Sequence, residues 1–113
     1  MKKPPVSSLR REYERLCQGL ARTGYISQGS VVDRSKLKHP RSGYQWTRKA
    51  AQKTITVALT AQQFRVLRQA IQNRQAVAKT LGRMERLARK IIFSTLPDTA
   101  RRKSLSSRVL GLN

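Results

Sequence analysis

Negative charge is scarce in this sequence. Five Asp and Glu stand against 25 Lys and Arg in 113 residues, a formal net charge of +20. Cysteine and histidine occur once each, as Cys17 and His39. That pair cannot complete a four-ligand zinc site. A lone cysteine closes no internal disulfide, which fits a reducing, cytoplasmic setting. No uncharged run is long enough to span a bilayer, so no membrane association is expected. The Met-Lys-Lys-Pro-Pro start is followed by polar residues, without the apolar run of about seven that a secretory signal needs. Aromatic residues make up 5% and hydrophobic residues 38%, which allows one small domain with a modest core.

The scarcity of carboxylates also argues against catalysis. Metal-dependent phosphoryl transfer needs two or three acidic side chains at one point. The acidic residues are Glu12, Glu14, Asp33, Glu85 and Asp98. Glu12 and Glu14 point about 200° apart on a helix, and the other three fall in separate elements. His39 precedes Pro40 in a basic loop and reads as a solvated side chain. There is no glycine-rich phosphate loop and no nucleophile elbow. The expectation is a protein that is not an enzyme and uses no cofactor or metal.

What the chain does contain is organised in four stretches. Residues 1–7 form a basic arm with Pro4-Pro5. A short helix follows, with Ser7 or Ser8 as N-cap. Leu9, Tyr13, Leu16, Cys17 and Leu20 make its apolar stripe, and Thr23-Gly24 its stop. Cys17 suits a small buried position on that stripe.

From residue 25 to 60 β-branched residues and tyrosines replace leucine. Tyr25-Ile26 with Ser30-Val31-Val32 reads as one strand interrupted by Gly29. Residues 34–43 are a basic loop. Tyr44 to Lys49 and Thr54 to Leu59 read as a hairpin, and Ile55, Val57 and Leu59 alternate with polar or small neighbours. The connecting Ala50-Ala51-Gln52-Lys53 has no glycine or asparagine, so a loop longer than two residues is expected. Ile55, Val57 and Leu59 should pack on the helix that follows, because so small a sheet does not stand alone.

Thr60 with Gln63 is a capping box. It opens a long amphipathic helix over 61–96, or two helices meeting near Gly82. A continuous helix would be about 54 Å long, against a radius of gyration of about 13 Å for a compact domain of this size. Phe64, Leu67, Ile71, Val77/Ala78, Leu81, Met84, Ala88 and Ile91 form the apolar stripe. Arg74 interrupts it, so the two halves are expected to pack on different things. Arg65, Gln69, Gln72, Gln75/Ala76, Lys79, Arg83, Arg86 and Lys90 form an opposing polar stripe. Glu85 is the only acidic residue in the helix, so it forgoes nearly all of the i,i+4 ion pairs of a solvated helix. Leu81, Met84 and Ile91 offer a route to a homodimer. Residues 97–113 are a basic tail with a small apolar end, Val109-Leu110-Gly111-Leu112, suited to docking on a protein. The fold class expected is α+β: a short helix, an antiparallel sheet of two or three strands, and a long basic helix in one domain over 8–96.

A basic excess of this size is matched by a polyanion. The charge is spread over all four stretches, which suits an extended phosphate-contacting surface. Candidate contacts are Arg10 and Arg11 in the first helix, and Arg34, Lys36, Lys38 and Arg41 in the basic loop. The hairpin adds Gln45, Trp46, Arg48, Lys49 and Lys53. The long helix adds Arg65, Arg68, Lys79, Arg83, Arg86 and Lys90, and the tail adds Arg101, Arg102 and Lys103. A two-stranded ribbon fits the major groove of DNA. Trp46 and Tyr44 read either as core aromatics of the sheet or as a stacking platform for unpaired bases, in which case RNA is as suitable as single-stranded DNA.

Three segments carry a resemblance: Gln28-Gly29-Ser30-Val31-Val32-Asp33-Arg34, then Gly43-Tyr44-Gln45-Trp46-Thr47-Arg48-Lys49, then Lys53-Thr54 with Ala58-Leu59-Thr60. Their order, with Asn73-Arg74 in the long helix, resembles a small uncharacterised prokaryotic family often encountered near transposases and other mobile-element genes. The resemblance covers roughly residues 26–92. The family's Cys-rich loop between the first two strands is replaced here by Ser35-Lys36-Leu37-Lys38-His39-Pro40, and its Asn-Gly turn by Ala50-Ala51-Gln52. The family carries no assigned activity, and its neighbourhood is an association; with the basic surface it leads to the expectation of a non-enzymatic DNA-binding accessory protein beside a transposase, recombinase or nuclease. An RNA-binding or ribonucleoprotein-assembly factor is the alternative, and an adaptor for an acidic protein partner the second alternative.

Overall fold

The computed structural model describes residues 4–101 and 103–112. The fold is α+β. The first helix, α1, runs Val6–Leu20. A three-stranded antiparallel sheet follows in the order β1 (Ser30–Asp33), β2 (Tyr44–Ala50), β3 (Lys53–Leu59). One long helix, α2, runs Ala61–Thr95, and a last turn of helix, α3, runs Ser107–Leu110. The chain is described in two compact units: Thr23–Val77, and the segments up to Arg22 and from Ala78 onward. Among the described residues, no helix is long and apolar enough to cross a membrane.

The Thr23–Val77 unit holds the sheet and the first half of α2. Thr60 and Gln63 cap that helix as their spacing predicts. Gln63 N donates to Thr60 Oγ1 at 3.0 Å, and Thr60 N donates to Gln63 Oε1 at 2.9 Å. Tyr44 stacks on Phe64 with ring centroids 4.5 Å apart. Tyr25-Ile26 is not strand. This segment lies along α2, where Asn73 Nδ2 donates to the Tyr25 carbonyl at 2.9 Å and Ser27 N donates to the Ala70 carbonyl at 3.2 Å. The Tyr25 carbonyl and the Ser27 amide thus find their partners on the helix rather than on a sheet neighbour.

The hairpin closes more tightly than its residues suggest. Ala50 pairs with Lys53, so only Ala51 and Gln52 turn the chain, with φ of 49° and 66°. Two consecutive left-handed residues are the signature of a type I′ turn, whose twist matches that of the flanking strands. The ladder extends to the last pair at the expense of left-handed backbone at two non-glycine residues.

The sheet also lacks the cover expected for it. Val57 is 42% and Ile55 36% exposed, and only Leu59 of that face is half-buried on β3. Alternation along β3 follows from the pleat of the strand. Whether an apolar face is covered is decided elsewhere, and here the helix meets the sheet at the Tyr44–Phe64 end.

In the other unit Leu9 of α1 and Met84 and Leu87 of α2 are buried, Leu87 completely. Leu87 is absent from the apolar stripe read above, whereas Leu81 of that stripe is 44% exposed. Met84 is buried within this unit and so is not on a face available for pairing with a second copy. The start of α1 lies two or three positions before the serine caps expected at Ser7 or Ser8. Pro5 is the N-cap, and its carbonyl accepts from Ser8 N and Leu9 N. Cys17 is half-buried and unpaired. The helix α2 passes through Gly82 without a break. The described part of the tail folds back: Arg89 Nη2 donates to the Gly111 carbonyl at 3.0 Å, and Ser106 caps α3. The apolar end thus docks within its own unit.

Candidate nucleic-acid interface

The basic residues fall into separate groups. The loop after β1 is ordered by Asp33, whose carboxylate accepts from Ser35 Oγ at 2.6 Å and Ser35 N at 3.0 Å. These bonds hold the Asp33 carboxyl below its ordinary value. Arg34 then ties the loop's two ends, donating through its N to the Gly43 carbonyl and accepting at its carbonyl from Arg41 N. Arg34, Lys36, Lys38 and Arg41 are thereby held in one closed loop. The Arg34 Nε also donates to Gln45 Oε1 at 3.3 Å, so Gln45 is engaged with a neighbouring cation.

The sheet has two unlike faces. Pairing sets Trp46 between Val31 and Val57, Arg48 opposite Ile55, and Ala50 opposite Lys53. All of these share one face, because directly paired residues lie on the same side. The other face carries Ser30, Thr47, Lys49, Thr54 and Thr56, with Ser30 and Thr47 joined hydroxyl to hydroxyl at 3.0 Å. Trp46 is half-buried, and its Nε1 donates to the Gln28 carbonyl at 3.0 Å. The Arg48 guanidinium lies 5.8 Å from the centre of the indole ring. Gly29 makes this approach possible. Its φ is +104°, and a Cβ there would overlap Trp46 Nε1 and stand 2.5 Å from the Thr47 carbonyl oxygen.

On α2 the polar stripe is not uniform. Arg65, Arg68 and Lys79 are exposed, and Arg68 rides 5.2 Å above the Phe64 ring. Arg83 is committed to Glu12 of α1, donating through Nε at 2.9 Å and Nη2 at 3.1 Å. Arg86 is half-buried beside Gly82. Lys90, Arg101 and Lys103 line an open cavity of about 930 Å³ together with Leu9, Phe93 and Leu110. Arg101 also pairs with Asp98 and lies 5.8 Å over Phe93. Arg10 and Arg11 are exposed on α1. Arg102 lies outside the described residues.

Sequence reasoning assigned Ile55 and Val57 to a core, and the structure leaves them beside Trp46 on an open face. The signal was present as register: once Trp46 and Val57 pair, they share a face. Among the described residues, no group of three or more His, Cys, Asp or Glu converges. No protein-family model, curated protein or solved structure matches the chain.

Proposed function

We propose that this chain is a non-enzymatic nucleic-acid-binding protein with DNA as its leading partner, clamping phosphate backbones through dispersed Arg and Lys. The observation that carries this reading is where the few carboxylates go. Glu12 is spent on Arg83, Asp98 on Arg101, and Asp33 on capping its own loop; Glu85 lies 3.9 Å from Arg89. Four of the five carboxylates thus meet a local partner, and only the exposed Glu14 has none among the described residues; Arg10, Arg11, Lys36, Lys38, Arg41, Lys49, Lys53, Arg65 and Lys79 stay exposed. A phosphate backbone supplies compensating charge along an extended path.

The resemblance to a family met near transposases supports a place beside a recombinase, transposase or nuclease, in the cytoplasm. Structured RNA and an acidic protein are the competing ligands.

The test is binding of the full chain to a labelled DNA duplex across a salt series. Affinity should fall steeply with salt, by about 0.9 log units per log unit of salt for each phosphate contacted. Arg65→Glu/Lys79→Glu should lower both affinity and slope. An unchanged affinity and slope in that variant would remove the helix from the interface. Tighter binding to structured RNA than to the duplex would favour the ribonucleoprotein reading. No binding at low salt, with a nuclease-resistant protein complex, would favour the acidic partner.

A further inference from the structure

A small sheet gains stability by burying one face against a second layer. In the Thr23–Val77 unit one face carries exposed Ile55 and Val57 beside half-buried Val31 and Trp46, and α2 covers only its Tyr44 end. We propose that this face is a stacking platform for the unpaired bases of single-stranded DNA, with Trp46 as the platform and Arg48 as its cationic companion. The proposal rests on the nucleic-acid reading above and narrows it to one strand chemistry at one site.

Three features suit the face to that occupant. First, the indole is anchored at its edge. The bond from Nε1 to the Gln28 carbonyl satisfies the only polar atom of the ring and fixes its plane. A base can then use the π-surface without breaking a hydrogen bond. Second, the Arg48 guanidinium lies over the ring, 5.8 Å from its centre, and is itself a flat group that extends the surface on which bases stack. Third, Lys53 stands on the same face as Trp46 and Arg48, so a strand laid across Trp46 meets two cations there for its phosphates.

Other occupants match only part of this chemistry. A second copy of the chain would bring another +20 to a basic surface. A duplex keeps its bases stacked inside and offers them no plane. An acidic protein satisfies Arg48 and Lys53 and leaves the apolar residues without a fitted partner. DNA suits the face better than RNA. The polar side chains beside Trp46 are Arg48 and Lys53, which this reading assigns to bases and phosphates; Val31, Ile55 and Val57 offer nothing further to a 2′-hydroxyl, and the hydroxyls of Thr47 and Thr56 lie on the opposite face.

Trp46 is the only tryptophan beside three tyrosines, so tryptophan emission of the unmodified full chain, excited selectively at the red edge, reads this site alone. Oligothymidylate, oligouridylate and a DNA duplex are titrated at equal phosphate concentration, and binding is followed in parallel by anisotropy of labelled strands. Oligothymidylate should quench the emission, and the duplex should bind without quenching it. Val57→Asp and Thr56→Asp make the same charge change on opposite faces. Val57→Asp should weaken oligothymidylate binding about tenfold more than Thr56→Asp does, with equal effects on the duplex. Trp46→Ala should weaken oligothymidylate binding by about 5- to 150-fold, the range that loss of one stacked base spans.

Oligothymidylate that binds without quenching overturns the platform while leaving the phosphate-clamping reading standing. So do equal effects of the two Asp variants. Quenching by oligouridylate at lower concentration than by oligothymidylate overturns the assignment to DNA. Failure of every nucleic acid to bind overturns both readings together.

Discussion

Arg83 grips Glu12 with two parallel hydrogen bonds, at 2.9 and 3.1 Å, between residues 71 positions apart in the chain. A guanidinium that holds a carboxylate in this forked way has two of its donors occupied. Its role is to fasten α1 to α2. The pair is part-exposed, 40% for Arg83 and 27% for Glu12, so solvent screening limits its worth to about 1 kcal/mol. Arg83→Met should lower Tm by roughly 4–8 °C. Glu12→Gln should do about the same, and the double variant should lose little more than either single one. Arg83→Met should also leave duplex affinity closer to the unmodified protein than Arg65→Met does. Thermal denaturation and salt-matched titrations check both.

Leu87 is completely buried, while Leu81, six positions earlier on the same helix, is 44% exposed. Truncation removes buried contacts and leaves a cavity only in the first case. Leu87→Ala should cost about 2–5 kcal/mol and Leu81→Ala under about 1 kcal/mol. Urea unfolding of the two variants reads the difference as a shift in midpoint.

These two leucines show what was legible in the sequence. That one helix rather than two runs past Gly82 was not legible, but helix after Thr60 was plain, because a Thr60–Gln63 box is followed by apolar residues at steps of three and four from Phe64 to Ile91, about seven turns. The face that is buried was less so. Arg74 marks where the stripe breaks, and the halves on either side pack in different units, so a single stripe drawn through both misses Leu87 and includes Leu81. The hairpin was legible from alternation, but its turn was not. Ala51 and Gln52 carry no local preference for positive φ, and the two-residue closure comes from the ladder on either side. The basic candidates were visible one by one. That Arg83 faces Glu12 and Arg34 faces Gln45 depends on long-range packing and register, which no local pattern records.

The turn itself offers a stabilising change. Ala51 and Gln52 both occupy left-handed backbone, where a non-glycine residue costs roughly 1–2 kcal/mol. Ala51→Asn/Gln52→Gly supplies the residues that the type I′ turn favours. The variant should be more stable by about 1–2 kcal/mol, with unchanged sheet content by circular dichroism. A decrease in Tm would show that the hairpin does not close in two residues.

Gly29 and Gly43 provide a matched pair for the seat of Trp46. Both have φ in the left-handed region, +104° and +96°, so an alanine at either position carries backbone strain of about 1–3 kcal/mol. Their surroundings differ. A Cβ at Gly43 would meet only Arg34 Nη1, at 3.9 Å, whereas one at Gly29 would run into the indole nitrogen and the Thr47 carbonyl. Gly43→Ala should therefore destabilise the fold and leave tryptophan emission where it is. Gly29→Ala should destabilise it further and shift the emission to the red, because the indole must leave the Gln28 carbonyl and turn toward water. Equal emission maxima in the two variants would mean that Gly29 is needed only for its backbone angle. A red shift confined to Gly29→Ala would tie the glycine directly to the orientation of the ring.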